Sequence, residues 1–200
     1  MAQPDIVTSN LAKEVALGRI AGPYDSPPFT NFQVSPIGLV PKKLSSKFRT
    51  IFHLSFPKSG ATSINHFISK EDHSLQYITI DNAIKGIQSR GQGCLVAKTD
   101  TESAFRLIPL KPKDYELFRI CWEGKFYYKK VLPFGLRSAS YIFNQLSDAI
   151  EWILVNKCSI SFVCHIGNDF LIIEAASSLP PHSQILSREF NQHVTLIQES

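Results

Sequence analysis

AKTDTESAF at residues 97–105 and CHIGNDFLI at residues 164–172 are the two stretches that constrain this chain most. Each sets a carboxylate at the tip of an apolar run of strand length. Residues 94–99 lead to Asp100, and residues 159–166 lead to a turn, Gly167-Asn168-Asp169, with a second strand at 170–174. If the two segments are neighbours in one sheet, Asp100 and Asp169 reach a common point. Magnesium takes carboxylate oxygens and keeps some water, so two or three convergent aspartates on rigid strands suffice to hold it. Read alone, Asp100 is an ordinary surface turn residue. Phe105 shifts that balance, because an aromatic at this spacing can lie under an incoming sugar.

Between the two segments lies LPFGLRSA at residues 132–139. Gly135-Leu136-Arg137 offers a turn of close backbone approach leading into a helix N-terminus, which favours phosphate or base edges. The helix it opens spans 138–156, with Ile142, Leu146, Ile150, Ile153 and Leu154 at helical spacing. Upstream, residues 37–40 and 48–52 read as two strands joined by a polar turn at 42–47. Lys43, Lys47 and Arg49 on that unit can clamp a triphosphate, Arg by a planar fork and Lys as a point charge. Taken singly, each is a solvated surface cation.

The remaining elements are plainer. Residues 11–17 predict a short helix capped by Thr8 or Ser9 and stopped by Gly18. Residues 22–36 carry Pro23, Pro27, Pro28 and Pro36 and are expected to wrap over a surface. Asp81 is expected to cap a helix carrying Ile84 and Ile87 on one face and ending near Gly91. Residues 117–122 and 125–130 form a hairpin across Glu123-Gly124. A loop at 177–182 and a weak helix at 183–193 close the chain. Helices and strands interleave without strict alternation, so the fold class is α+β.

Composition bounds the rest. Of the 200 residues, 44% are hydrophobic and 19% charged, which excludes global disorder. Net charge is only +4, but residues 26–70 contain no Asp or Glu and hold Lys42, Lys43, Lys47, Arg49, Lys58 and Lys70. Such a lobe is a footprint for phosphates; its plain alternative is a solvated basic face. Cys94, Cys121, Cys158 and Cys164 show no paired spacing, so free thiols are expected. The six histidines lack metal-ligand spacing. No signal peptide or membrane span is legible, which places the protein in the cytoplasm or nucleus.

In order and spacing, FRTIFHLS (48–55), TDTESAFRLIP (99–109), LPFGLRSA (132–139) and HIGNDF (165–170) together resemble a retroelement reverse transcriptase. The resemblance covers roughly residues 14–175 and is nearest to the DIRS and Ngaro group, supported by GRIAGP (18–23) and SPIGLVPKK (35–43). It implies a right-hand polymerase. The segments are an N-terminal lead-in (1–22), fingers (23–95), a palm with an antiparallel sheet and packed helices (96–176), and a truncated end of palm (177–200) without a thumb.

The resemblance also implies an RNA-directed DNA polymerase that takes a template–primer duplex and a deoxynucleoside triphosphate and uses two Mg2+ ions. Asp100 matches the metal-binding aspartate of the first palm motif, and Phe105 the aromatic gate against a ribose 2′-hydroxyl. Gly135, Leu136 and Arg137 match the template- and nucleotide-positioning turn. Arg49 matches the fingers arginine, with Lys42 or Lys43 as its partner. Asn168 and Asp169 occupy the positions of a paired aspartate.

The family reads Tyr-Leu-Asp-Asp or a relative where this chain reads Ile166-Gly167-Asn168-Asp169. An amide supplies a carbonyl oxygen but no charge, so a weakened site is expected, and Gly167 is expected to loosen the turn. No ribonuclease H or tyrosine recombinase region, which complete elements carry, is legible. A non-catalytic nucleic-acid-binding module and a non-functional relic stay open as alternatives.

Overall fold

The computed structural model describes residues 3–30, 34–41, 48–58, 62–176 and 194–197. In chain order the elements are α1 (Pro4–Ala16), β1 (Ile20–Tyr24), β2 (Ile37–Pro41), β3 (Phe48–Phe52), α2 (Ile80–Arg90), β4 (Leu95–Asp100), β5 (Arg119–Trp122), β6 (Lys125–Lys129), α3 (Ala139–Asn156), β7 (Val163–Ile166), β8 (Asp169–Glu174) and β9 (Val194–Ile197). Helices mix with antiparallel sheets, as the α+β reading expects. The chain forms two compact units, each discontinuous in sequence: Met1–His73 with Phe105–Ala139, and Ser74–Ala104 with Ser140–Ser200.

In the first unit, strands run β1-β6-β5 in one sheet and β2-β3 in another. Helix α1 begins at Pro4, well before the expected start at residue 11. Proline is at home in a first helical turn, where its missing N–H leaves no bond unmade. Val7, Leu11 and Val15, at i, i+4 and i+8, carry the helix onto a core with Ile20 and Ile120. Thr8 and Ser9 therefore lie inside the helix and do not cap it; the Thr8 hydroxyl accepts a bond from Trp122 Nε1 at 2.9 Å. Gly18, at φ +69°, follows the last turn as anticipated.

The proline-rich stretch begins as strand, because β1 runs on to Tyr24, which pairs with Phe126. Its wrap is pinned by aromatics: Tyr24 stacks on Tyr128 at 5.9 Å and Phe29 meets the same ring edge-on at 5.1 Å.

The second unit is a four-stranded sheet in the order β7-β8-β4-β9. One face buries Ala97, Val163, Phe170 and Ile172 with Leu154 of α3 and Ile160. The buried line of α3 is Phe143, Ser147 and Leu154, with Ile150 packed beside it. This is rotated from the expected stripe, and Ile153 is exposed.

Helix α2 packs on the opposite face at Gly86. A Cβ there would come within 2.8 Å of the Phe162 ring and 2.9 Å of Ile173 Cδ1. Ile84, expected to face inward, is exposed, since that approach depends on Gly86. Thr79 takes the N-cap in place of Asp81, its N–H donating to Asn82 Oδ1 at 3.0 Å. Strand β9, to which the sequence reading assigned no element, pairs with β4 from Val96↔Ile197 to Thr99↔Val194. The expected loop at 177–182 and helix at 183–193 lie outside the described residues. All four cysteines are free, as expected; Cys164 is buried and the other three are half-buried. Among the described residues, no helix is long and apolar enough to cross a membrane.

Candidate functional site

The tip of the β4–β8 pair brings three of the singled-out residues together. Asp100 and Asp169 are direct cross-strand partners, so their side chains leave the same face of the sheet. Asn168 Nδ2 donates to Asp100 Oδ1. Thr101 N donates to the Asn168 carbonyl at 2.9 Å, which extends the ladder past the strand end.

The β7–β8 connection is a two-residue turn, because Ile166 pairs with Asp169. Gly167 at its first central position has φ +59°, the conformation a type II′ hairpin requires there. Gly167 thus builds the turn, contrary to the expectation that it loosens it.

Lys98, two residues before Asp100 and on the same face, places Nζ 2.9 Å from Asp169 Oδ1. The hydrogen bond and charge of Asp169 hold the Lys98 ammonium above the usual lysine range, with a smaller contribution from Asp100. At the tip, one carboxylate is thus matched by an ammonium and the other accepts from an amide.

The other singled-out residues belong to the first unit. Gly135 sits at φ +94°, a left-handed value that demands glycine. The buried Asn65 fixes this turn from both sides: its Nδ2 donates to Gly135 O at 2.9 Å and its Oδ1 accepts from Arg137 N at 2.8 Å. Arg137 Nη1 donates to Ile68 O at 2.6 Å. Arg49, on β3, lies over the Phe134 ring at 5.3 Å, and Phe105 tilts against that ring at 5.7 Å. Lys42, Lys43 and Lys47 lie outside the described residues.

Sequence reasoning missed Asn65, Phe134 and Lys98. An asparagine far from the turn it serves gives no local signal. Phe134 and Lys98 sat inside the quoted motifs, and the alternation of β4 already put Lys98 on the face of Asp100.

The sequence matches the family model of reverse transcriptase (RNA-dependent DNA polymerase) over residues 40–198. The chain belongs to the reverse transcriptase family. No curated protein sequence matches it. Among solved structures it is similar to prototype foamy virus protease–reverse transcriptase, as a CSH mutant, at TM-score 0.62 and 18% identity over 94% of this chain. It is also similar to the foamy viral protease–reverse transcriptase dRH in complex with double-stranded DNA, at TM-score 0.65 and 17% identity over 92%. At such identities the likeness concerns the fold. The chain spans 22% and 28% of those two longer chains.

Reverse transcriptases use divalent metal ions. In this reverse transcriptase chain the tip offers two carboxylates and, with the amide turned over, one carbonyl oxygen. That hard-oxygen set fits one Mg2+ completed by water or phosphate oxygens. Among the described residues there is no cluster of three His, Cys, Asp or Glu for a fuller site.

The Lys98 ammonium competes for the same carboxylate. With Lys98 53% and Asp169 46% exposed, the pair is a surface one, so its removal should change stability by only about 0.5 kcal/mol. Lys98→Met is expected to tighten Mn2+ binding about three- to fivefold by removing a nearby positive charge, and Lys98→Arg to leave it unchanged. Titration by electron paramagnetic resonance checks this; equal affinities in all three chains would show that Lys98 does not compete.

Proposed function

We propose that the chain is the fingers (23–95) and palm (96–176) part of a retroelement reverse transcriptase, similar to the DIRS and Ngaro group, with a weakened nucleotidyl-transfer site. The observation that carries this reading is the cross-strand pair Asp100↔Asp169 with Asn168 on the adjoining turn, in a chain of this family. Asp100 and Asp169 would hold Mg2+, which when bound neutralises phosphate charge and favours ionisation of an attacking hydroxyl.

The chain's own residues then position the reactants. Arg49 presents a planar fork to the triphosphate. By its family role, Phe105 would lie under the sugar and act as the gate against a 2′-hydroxyl. The Gly135–Arg137 turn, braced by Asn65, sets the templating base and its partner. The partners are a template–primer duplex and a deoxynucleoside triphosphate, consistent with a solved relative in complex with double-stranded DNA.

Primer extension on an RNA template tests the reading. The chain as it stands is expected to extend barely or not at all, Asn168→Asp measurably, and Asn168→Asp with Asp100→Asn not at all. Robust extension by the unmodified chain would overturn the weakened site, and extension that survives Asp100→Asn would overturn the assignment of the site.

One observation favours a second reading, a non-catalytic nucleic-acid-binding module: Lys98 already neutralises Asp169. Under either reading, affinity for an RNA–DNA duplex should fall by about 0.7 to 0.9 log units per log unit of salt for each phosphate contact. A flat response would favour the solvated-face view of the basic lobe. Binding with this slope, combined with no extension even by Asn168→Asp, would select the module.

A further inference from the structure

We propose that α3 holds the β7–β8 hairpin in register through Ser147, with His165 as a second tie, which makes Ser147 a positioning residue for the Asn168–Asp169 tip. This rests on the reading of that tip as a cation site.

Ser147 is fully buried, on the apolar line of α3 between Phe143 and Leu154. A hydroxyl in such a place is costly unless it is hydrogen-bonded. Bonding back to its own helix would satisfy it, and Phe143 O lies at 3.3 Å. The shorter contact, 2.8 Å, goes to Gly167 O in the hairpin turn. A serine has one hydroxyl proton, so the better geometry assigns that proton to the turn.

The consequence falls on Asn168. Its preceding peptide is held at the Gly167 carbonyl by Ser147, and its following peptide is held at the Asn168 carbonyl by Thr101 N. With both flanking peptide planes fixed, the direction in which residue 168 projects its side chain is fixed too.

The second tie lies two residues earlier. His165 is buried on β7, and its Nε2 faces Asp148 Oδ1 at 3.0 Å and Glu151 Oε2 at 3.5 Å. Facing two carboxylates, Nε2 carries the proton that it donates. Ser147, Asp148 and Glu151 thus form one polar strip, extended one turn back by Asn144, whose Nδ2 donates to Asp148 Oδ2 at 3.1 Å.

The test compares Ser147→Ala with Phe143→Leu, a core change one turn away that leaves the turn contact intact. Two quantities are read: Mn2+ affinity in the Asn168→Asp chain, and hydrogen exchange of the Thr101 amide in the chain as it stands. The loss of one hydrogen bond predicts Mn2+ binding weakened about three- to tenfold and Thr101 exchange faster by a similar factor in Ser147→Ala. Phe143→Leu should lower the melting temperature but leave both quantities within about twofold, since it touches no hydrogen bond of the turn.

Unchanged exchange at Thr101 in Ser147→Ala, or an equal change in Phe143→Leu, overturns the clamp. If the Asn168→Asp chain binds no Mn2+, the cation reading of the tip fails, and the exchange measurement alone decides the clamp.

Discussion

Asn168→Asp is expected to tighten Mn2+ or Mg2+ binding about ten- to thirtyfold. Two effects act in the same direction. The new carboxylate adds a negative charge beside the cation. Two unit charges 4 Å apart in water interact by about 1 kcal/mol, so a dication gains about 2 kcal/mol, where 1.4 kcal/mol is tenfold. The metal-free state also becomes less comfortable. Asn168 Nδ2 now donates to Asp100 Oδ1, and replacing it by an oxygen removes that bond and sets two carboxylates side by side. A cation relieves that repulsion. The gain should shrink below about pH 5, where carboxylates take up protons. Isothermal titration of both chains near pH 7 and again near pH 5 measures it. A gain under twofold near neutrality would mean that residue 168 does not face the cation, and the reading of the tip as a metal site would fall with it.

What the sequence made legible follows the range of each interaction. Asp100 and Asp169 could be paired in advance because each closes an apolar run, and two such runs in one antiparallel sheet put their ends together. The β2–β3 and β5–β6 hairpins were legible for the same reason: their partners are near in sequence. Helix α1 reads shorter in the sequence than in the fold because its polar residues hide the Val7, Leu11 and Val15 stripe, and Thr8 resembles a cap.

Contacts that span long sequence distances were invisible. Strand β9 pairs with β4 across about a hundred residues. Asn65 braces a turn 70 residues away. The rotation of α3 that buries Ser147 is set by what the hairpin presents to it, which helical spacing alone does not encode. Binding chemistry concentrated in local motifs could therefore be read, whereas the residues that aim those motifs required the fold.

Lys129→Met is expected to raise the stability of the first unit at neutral pH by about 2–4 kcal/mol. Lys129 lies on β6 and is only 8% exposed, with its Nζ 3.8 Å from the centre of the Phe52 ring. Burial pushes its pKa down from 10.5 to about 7; the charge of Glu14 opposes the shift and that of Arg106 adds to it. Glu14 is already shared between Arg106 at 3.2 Å and Arg19 at 3.7 Å, so little of its charge is left for the lysine.

The sign follows from proton counting. Between about pH 7 and 10.5 the unfolded chain holds a proton on this amine that the folded chain has given up, so stability rises with pH across that window. Below pH 7 the folded chain carries the buried charge and its full penalty. A shift from 10.5 to about 7 corresponds to between 4 and 5 kcal/mol at about 1.36 kcal/mol per pH unit. The Phe52 ring face favours the charged form and lowers that figure by about 1 kcal/mol or more.

Methionine keeps the length and apolar stem of lysine without the charge, and replacing buried ions by apolar residues of similar volume often stabilises by about 1–4 kcal/mol. At about 2–4 °C per kcal/mol for a chain of this size, the melting temperature should rise by about 4–16 °C at pH 7, and by much less at pH 10. Thermal melts of both chains at the two pH values decide the matter. A gain that is the same at pH 7 and pH 10 would show that packing, not charge, is responsible. A loss at pH 7 would mean that Glu14 and the Phe52 ring together stabilise the ammonium more than burial penalises it.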